Sequence, residues 1–142
     1  MGGPFRVIAR RYLRSALVYG AVGMPLGALM LWFGNDNFQF LHGHMLLVGA
    51  LGFCAYGAGF LRVAALADAR PLPGVTSPLA AAQFWLASLG LPGMLAGSVL
   101  PVGLGLDRIG VLFGFMEASA AVLFAVLMTR ALKAEGAEPG RS

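Results

Sequence analysis

The residues of this chain best equipped for chemistry lie in one stretch, Phe40-Leu41-His42-Gly43-His44-Met45-Leu46-Leu47-Val48-Gly49. It contains both histidines of the sequence, two positions apart, with a methionine directly after them. Neutral imidazole is a ligand for haem iron, copper or zinc, and a thioether leans toward copper(I) or a haem axial position. On a regular α-helix, side chains two apart point roughly 200° away from each other. One helix therefore cannot offer both rings to a single metal. Either the first turn is non-helical, or one ring faces the bundle while the other faces a neighbouring molecule. The plainest alternative is a pair of interfacial side chains bonding water and lipid headgroups.

The elements around these residues are set by composition. Of 142 residues, 58% are hydrophobic and only 11% charged, against roughly 25% charged in a soluble domain. Several apolar runs approach the roughly 20 residues that a spanning helix needs. The expected fold is an all-α membrane protein, a single membrane domain forming a four-transmembrane-helix bundle. A basic amphipathic lead-in at 5–14 is expected to lie at the headgroup level. Spans are expected at about 15–33, 41–66, 79–100 and 108–129, followed by a polar tail at 130–142. The first span is read as retained rather than as a cleaved signal. Pro25 and Pro92 fall mid-span, with a kink expected near Gly23 to Gly27. Gly34-Asn35-Asp36-Asn37 is a polar turn with good N-cap residues for the second span. Residues 67–78 form a proline-rich connection and 101–106 a glycine-rich turn. Cys54, the single cysteine, lies inside an apolar run and reports nothing about redox compartment.

Charge sets the expected orientation. Arg6, Arg10, Arg11, Arg14, Arg62, Arg70, Arg130, Lys133 and Arg141 fall on one side, nine of the ten cations, and only Arg108 lies opposite. By the positive-inside rule both termini are cytoplasmic, in a bacterial inner membrane, and His42 and His44 sit near the outer face. The formal net charge of +4 is then a topology signal, with the lipid bilayer rather than nucleic acid as partner. Small residues four apart occur in every span: Gly23 and Gly27, Ala55 and Gly59, Gly93 and Gly97, Gly110 and Gly114. They would let helix backbones approach closely. Packing of the bundle itself is one use for them, and a homo-oligomer is a second.

Other polar residues in the spans are few. Glu117 lies nine residues past Arg108, about 13 Å deep at 1.5 Å per residue. An intramembrane carboxyl is a functional candidate by default, here as a proton relay or as a partner of Gln83 or Tyr56. Gln83 reads as an interhelical hydrogen-bonding residue. Asp107 and Arg108 stand near the histidine level, where an arginine could pair with an anionic group such as a haem propionate or simply anchor the helix. Met24, Met30, Met94 and Met116 read as packing residues. No Walker loop, dinucleotide fingerprint, catalytic triad or CxxC occurs.

The motif His42-Gly43-His44-Met45-Leu46-Leu47-Val48-Gly49, with Gly57, Phe60 and the Phe84-Trp85-Leu86 and Gly90 run, resembles the haem–copper oxidase subunit I superfamily. The likeness is to its short, four-span cytochrome c oxidase subunit I-like proteins, over about 60 residues. It implies a haem b ligand at His42 or His44, with Met45 or another methionine, or a second protomer's histidine, in the other axial position. Oxidases of that superfamily take their remaining haem and copper ligands from later helices. This sequence offers no further histidine, which excludes a complete oxidase centre. The expected role is electron transfer, gas sensing or haem handling, with a possible redox partner, and is non-enzymatic. The alternatives are a copper or other metal-binding or transport protein using His42, His44 and Met45, and a cofactor-free membrane assembly module.

Overall fold

A computed structural model describes residues 2–34, 38–99 and 107–137, apart from the side chain of Asp107. Among the described residues there are helices and turns and no strands. The helices are α1 (Gly3–Phe33), α2 (Gln39–Ala69), α3 (Ser77–Val99) and α4 (Asp107–Gly136). All four are long and apolar enough to cross a membrane. At 1.5 Å per residue and a hydrocarbon core of about 30 Å, the 31 residues of α1 and of α2 reach beyond it. The turns expected at 35–37 and 101–106, Leu100 and the last five tail residues lie outside the described residues. The N-cap position of α2 falls on Phe38, which makes no side-chain cap, and the Asn and Asp residues expected as caps lie outside the described residues.

Residues 5–14, expected as a lead-in, are helical and continuous with the first span in α1. Pro4 opens α1 in the first turn, where its missing N–H costs nothing. Phe5, Ile8, Ala9, Tyr12 and Ala16 are all buried. Their spacing of three and four draws one apolar stripe, which docks onto α2 and α3. The Phe5 ring stacks on Phe60, and Tyr12 packs against Phe53, Phe60 and Phe84. Arg6, Arg10, Arg11 and Arg14 occupy the exposed face between them. Pro25 leaves α1 unbroken.

Two antiparallel hairpins make the bundle, α1 with α2 and α3 with α4. Their seams are cut by glycines. A Cβ on Gly57 would lie 2.8 Å from Leu13, one on Gly49 2.5 Å from Tyr19, and one on Gly23 2.9 Å from Leu46. On the second seam, a Cβ on Gly90 would meet the Glu117 backbone nitrogen at 2.8 Å, and Gly93 is covered by the Phe113 ring. A Cβ on Gly110 would lie 3.2 Å from the Cα of Gly97. Gly59 takes the Phe124 ring of α4. Most of the paired small residues thus serve packing within the chain, where dispersion between close backbones drives helix association.

The interior of α2 departs from a regular helix. Met45–Gly52 is a π-helical segment between two α-helical stretches. Its widened turns bring Gly49 against Tyr19 while the preceding turn keeps His42 on α1. Such insertions are rare and frequent at functional sites.

The core is concentrated at the end of the bundle that carries the described termini. It is built from Phe5 to Ala16, Phe53 to Ala67, Ala80 to Leu91, and Ala120, Leu127 and Ala131. Ion pairs lace the same end: Arg6 with Asp68, and Arg62 with Glu135. Backbone groups join in, with Gly2 N–H donating to Asp68 Oδ1 at 2.7 Å and Arg130 Nη1 to the Gly74 carbonyl at 3.1 Å. Gly74 itself has φ of 72° in the α2–α3 connection, a conformation that favours glycine. Toward the histidine end the buried positions thin out to Gly23, Met45, Gly49 and Leu95, and grooves open between the helices.

Candidate functional site

His42 leaves α2 toward α1. Its Nδ1 lies 2.9 Å from the carbonyl oxygen of Gly23. A carbonyl only accepts, so Nδ1 donates here, and in the neutral ring Nε2 is then the nitrogen with the lone pair. That is the arrangement of metal-ligating histidines, whose second ring nitrogen donates to a carbonyl or carboxylate. The ring lies against Gly27, where a Cβ would fall 2.8 Å from both ring nitrogens. Only a residue without a side chain leaves room for it. Gly23 and Gly27 thus act together, one supplying the acceptor and the other the space.

His42 lines a groove of about 490 Å³ shared with Met24, Gly27, Ala28, Met30, Leu31, Gln39 and Leu46. This is within the range of roughly 300–1,000 Å³ typical of ligand pockets. Besides the imidazole, its metal-binding side chains are the two thioethers of α1, Met24 and Met30.

His44 faces elsewhere. Its Nδ1 is 3.0 Å from the Phe40 carbonyl of its own helix, and its ring stacks on Phe40 with centroids 3.9 Å apart. Its Nδ1 is likewise the donor to a carbonyl. Phe40 in turn lines a second, apolar groove of about 500 Å³ along α3 and α4, with Met94, Gly97, Gly110, Gly114 and Ala118. The two histidines therefore lie on different sides of α2.

Met45 is buried, with its Cβ at 3.3 Å from the position a Gly23 Cβ would take. It fills the α1–α2 seam and is not among the residues lining the His42 groove. His42, His44 and Met45 therefore have three different surroundings. Among the described residues no group of three or more His, Cys, Asp or Glu side chains could hold a metal ion. Arg108 is exposed at the start of α4. Cys54 is exposed as well.

The intramembrane polar residues divide in a way the sequence does not anticipate. Gln83 is fully buried and bonded on both sides. Tyr12 Oη donates to Gln83 Oε1 at 2.7 Å, and Gln83 Nε2 donates to the Ala120 carbonyl at 3.3 Å. Glu117 is buried one turn along α4 from Ala120, yet neither carboxylate oxygen has a hydrogen-bond partner. The expected Glu117–Gln83 and Glu117–Tyr56 bonds are absent. Tyr12 has taken the amide, because its stripe position on α1 points the phenol into the α3 face.

Sequence reasoning misses the pairing of His42 with α1. The available signal is Gly23 and Gly27 flanked by Met24 and Met30, which read only as packing residues. What it lacks is the pairing of the two helices, which sets Gly23 and Gly27 opposite His42. Comparison with family models, curated proteins and solved structures finds no match for this chain.

Proposed function

We propose that this chain is a small four-helix membrane protein that binds a b-type haem through His42, for electron transfer, gas sensing or haem handling. The observation that carries the reading is the hydrogen bond from His42 Nδ1 to Gly23, which presets the ring as an Nε2 ligand. The site fits such a group in its donors: Gly27 makes room for the imidazole, which shares one apolar groove with two thioethers. His42 would hold the iron, and Met24 or Met30 is the second donor within the same chain. Bound there, haem supplies one-electron transfer or, with an open axial position, gas binding. The resemblance of the His42-Gly43-His44 motif to haem–copper oxidase subunit I supports the same ligand. His44, on the other side of α2, is left to a histidine-sharing contact with a second copy.

The charge asymmetry supports cytoplasmic termini and a histidine end at the outer face of a bacterial inner membrane. Copper(I) is the second reading, favoured by the two methionines beside His42, since thioethers select that ion. A cofactor-free assembly module is the third.

The absorption spectrum of protein purified after expression with haem precursor and copper tests all three. A Soret band lost in His42→Ala and kept in His44→Ala is the expected result. Its position in Met24→Leu and Met30→Leu identifies the second ligand. A colourless protein with stoichiometric copper favours the second reading. A protein with neither overturns both.

A further inference from the structure

We propose that Glu117 is a proton-binding site in the interior of the bundle, taking up and releasing one proton independently of the His42 groove. The side chain is 8% exposed, and both carboxylate oxygens lie buried without a hydrogen-bond donor. Unlike Gln83, which is bonded at both ends and reaches Ala120 one turn along α4, Glu117 is not held in place by its polar atoms. A structural carboxyl would have such partners. An ionised one would need a cation, and among the described residues no lysine, arginine, histidine or second carboxyl acts on it. A buried carboxyl with neither cation nor donor is one that can hold a proton.

The titratable groups around it are all phenols. Tyr12 and Tyr19 on α1 and Tyr56 on α2 lie within electrostatic reach, and they are the only three tyrosines in the chain. From α3 the nearest neighbour is Gly90, which offers no charge, and whose missing side chain lets the α3 backbone close over the Glu117 nitrogen. The Tyr12 hydroxyl is engaged by Gln83, and none of the three phenols is bonded to the carboxyl. None of them holds it permanently ionised, as an arginine would. In the exchange one carboxyl O–H bond forms or breaks, and the proton comes from or goes to water.

The site also lies where the two halves of the bundle meet. Gly59 of α2 contacts Phe124, two turns beyond Glu117 on α4. Counting back along α2 puts the carboxyl about ten residues, more than two turns, below His42. That separation makes the proton site distinct from the groove ligand, so each can fail without the other.

Infrared spectra of the full chain in phosphatidylcholine vesicles test the proposal, as wild type minus Glu117→Gln. The expected difference is the carbonyl stretch of a protonated carboxylic acid in mildly acidic buffer, lost as the buffer becomes mildly alkaline. No such band in the wild type overturns the proposal, and so does a band unchanged across the range, which marks a fixed structural acid. Should Glu117→Gln fail to fold, dicyclohexylcarbodiimide on the wild type tests the same point. This reagent adds whole to a protonated carboxyl in an apolar setting. A mass adduct on the Glu117 peptide, weaker at alkaline pH, is expected, and an unlabelled Glu117 overturns the proposal.

Discussion

The two ends of this bundle are built from the same apolar residue types and behave as different materials. At the terminal end, four helices share one core of interlocked aromatic rings, Phe5, Tyr12, Phe53, Phe60, Phe84 and Phe124, with ion pairs across its rim. At the histidine end, the hairpins pack within themselves and leave grooves on either side of α2. The difference teaches where function can be hosted in a chain this small. Aromatic residues that fill the gap between hairpins close one end, and their absence at the other leaves space beside a preset imidazole. Glu117 sits on the boundary, enclosed by the closed half but without the partners that half gives to Gln83.

The largest expected effect breaks the closed end. Phe60→Ala removes a fully buried ring from the aromatic cluster and should cost about 3–5 kcal/mol. Leu31→Ala, at an 87% exposed position of the histidine end, should stay within about 0.5 kcal/mol. Reversible unfolding by SDS titration in mixed micelles, followed by circular dichroism, measures both. Equal losses would erase the distinction between the ends.

Two glycine substitutions sharpen it next. Gly90→Ala drives a Cβ into the α4 backbone at Glu117, which can move only with its helix, and about 1–3 kcal/mol of destabilisation is expected. Gly27→Ala meets the His42 ring instead, which can swing into the open groove. Its stability loss should stay near the roughly 1 kcal/mol of one hydrogen bond. The same variant should lose whatever His42 binds, and the spectrum in the cofactor experiment reads that loss directly.

The polar contacts of the closed end come after. Gln83→Leu leaves the buried Tyr12 hydroxyl only the more distant Gln83 backbone carbonyl, at 3.3 Å, and should cost about 0.5–1.5 kcal/mol. Adding Tyr12→Phe should recover part of that, and the double-mutant cycle in the same unfolding assay measures the coupling. Smallest of all is Arg6→Ala. Its pair with Asp68 is exposed, and such pairs contribute about 0–1 kcal/mol, less in salt. A loss well above that would assign the rim a share of stability that belongs here to the rings.

Much of this architecture is legible in the residues. The four apolar runs predict four helices, because a bilayer admits little else for a chain so poor in charge. The helices overshoot the expected spans, since apolarity marks the hydrocarbon core and not where hydrogen bonding stops. The divergence of His42 and His44 follows from helical geometry alone, and the structure shows the two rings on different sides of α2. The stripe at residues 5–14 leaves one choice open in the sequence. An apolar stripe among arginines fits lipid or protein equally well, and only the presence of Phe60 and Phe84 opposite Phe5 and Tyr12 selects protein. The partners expected for Glu117 are displaced in the same way, by a phenol that arrives from another helix.

By itself, then, the sequence determined the number of helices, the charge asymmetry, and the single stretch from which ligand chemistry could start. Each is a property of neighbours along the chain: a run of apolar residues, a cation beside it, two imidazoles two apart. Tertiary structure alone decided that His42 bonds Gly23 over the space left by Gly27, that Met24 and Met30 share its groove while Met45 fills a seam, and that Glu117 is left without a partner. Those facts depend on which helix faces which, and at what level. Helices in a membrane choose that by close packing, where a glycine opposite a ring weighs more than any property of the residue itself.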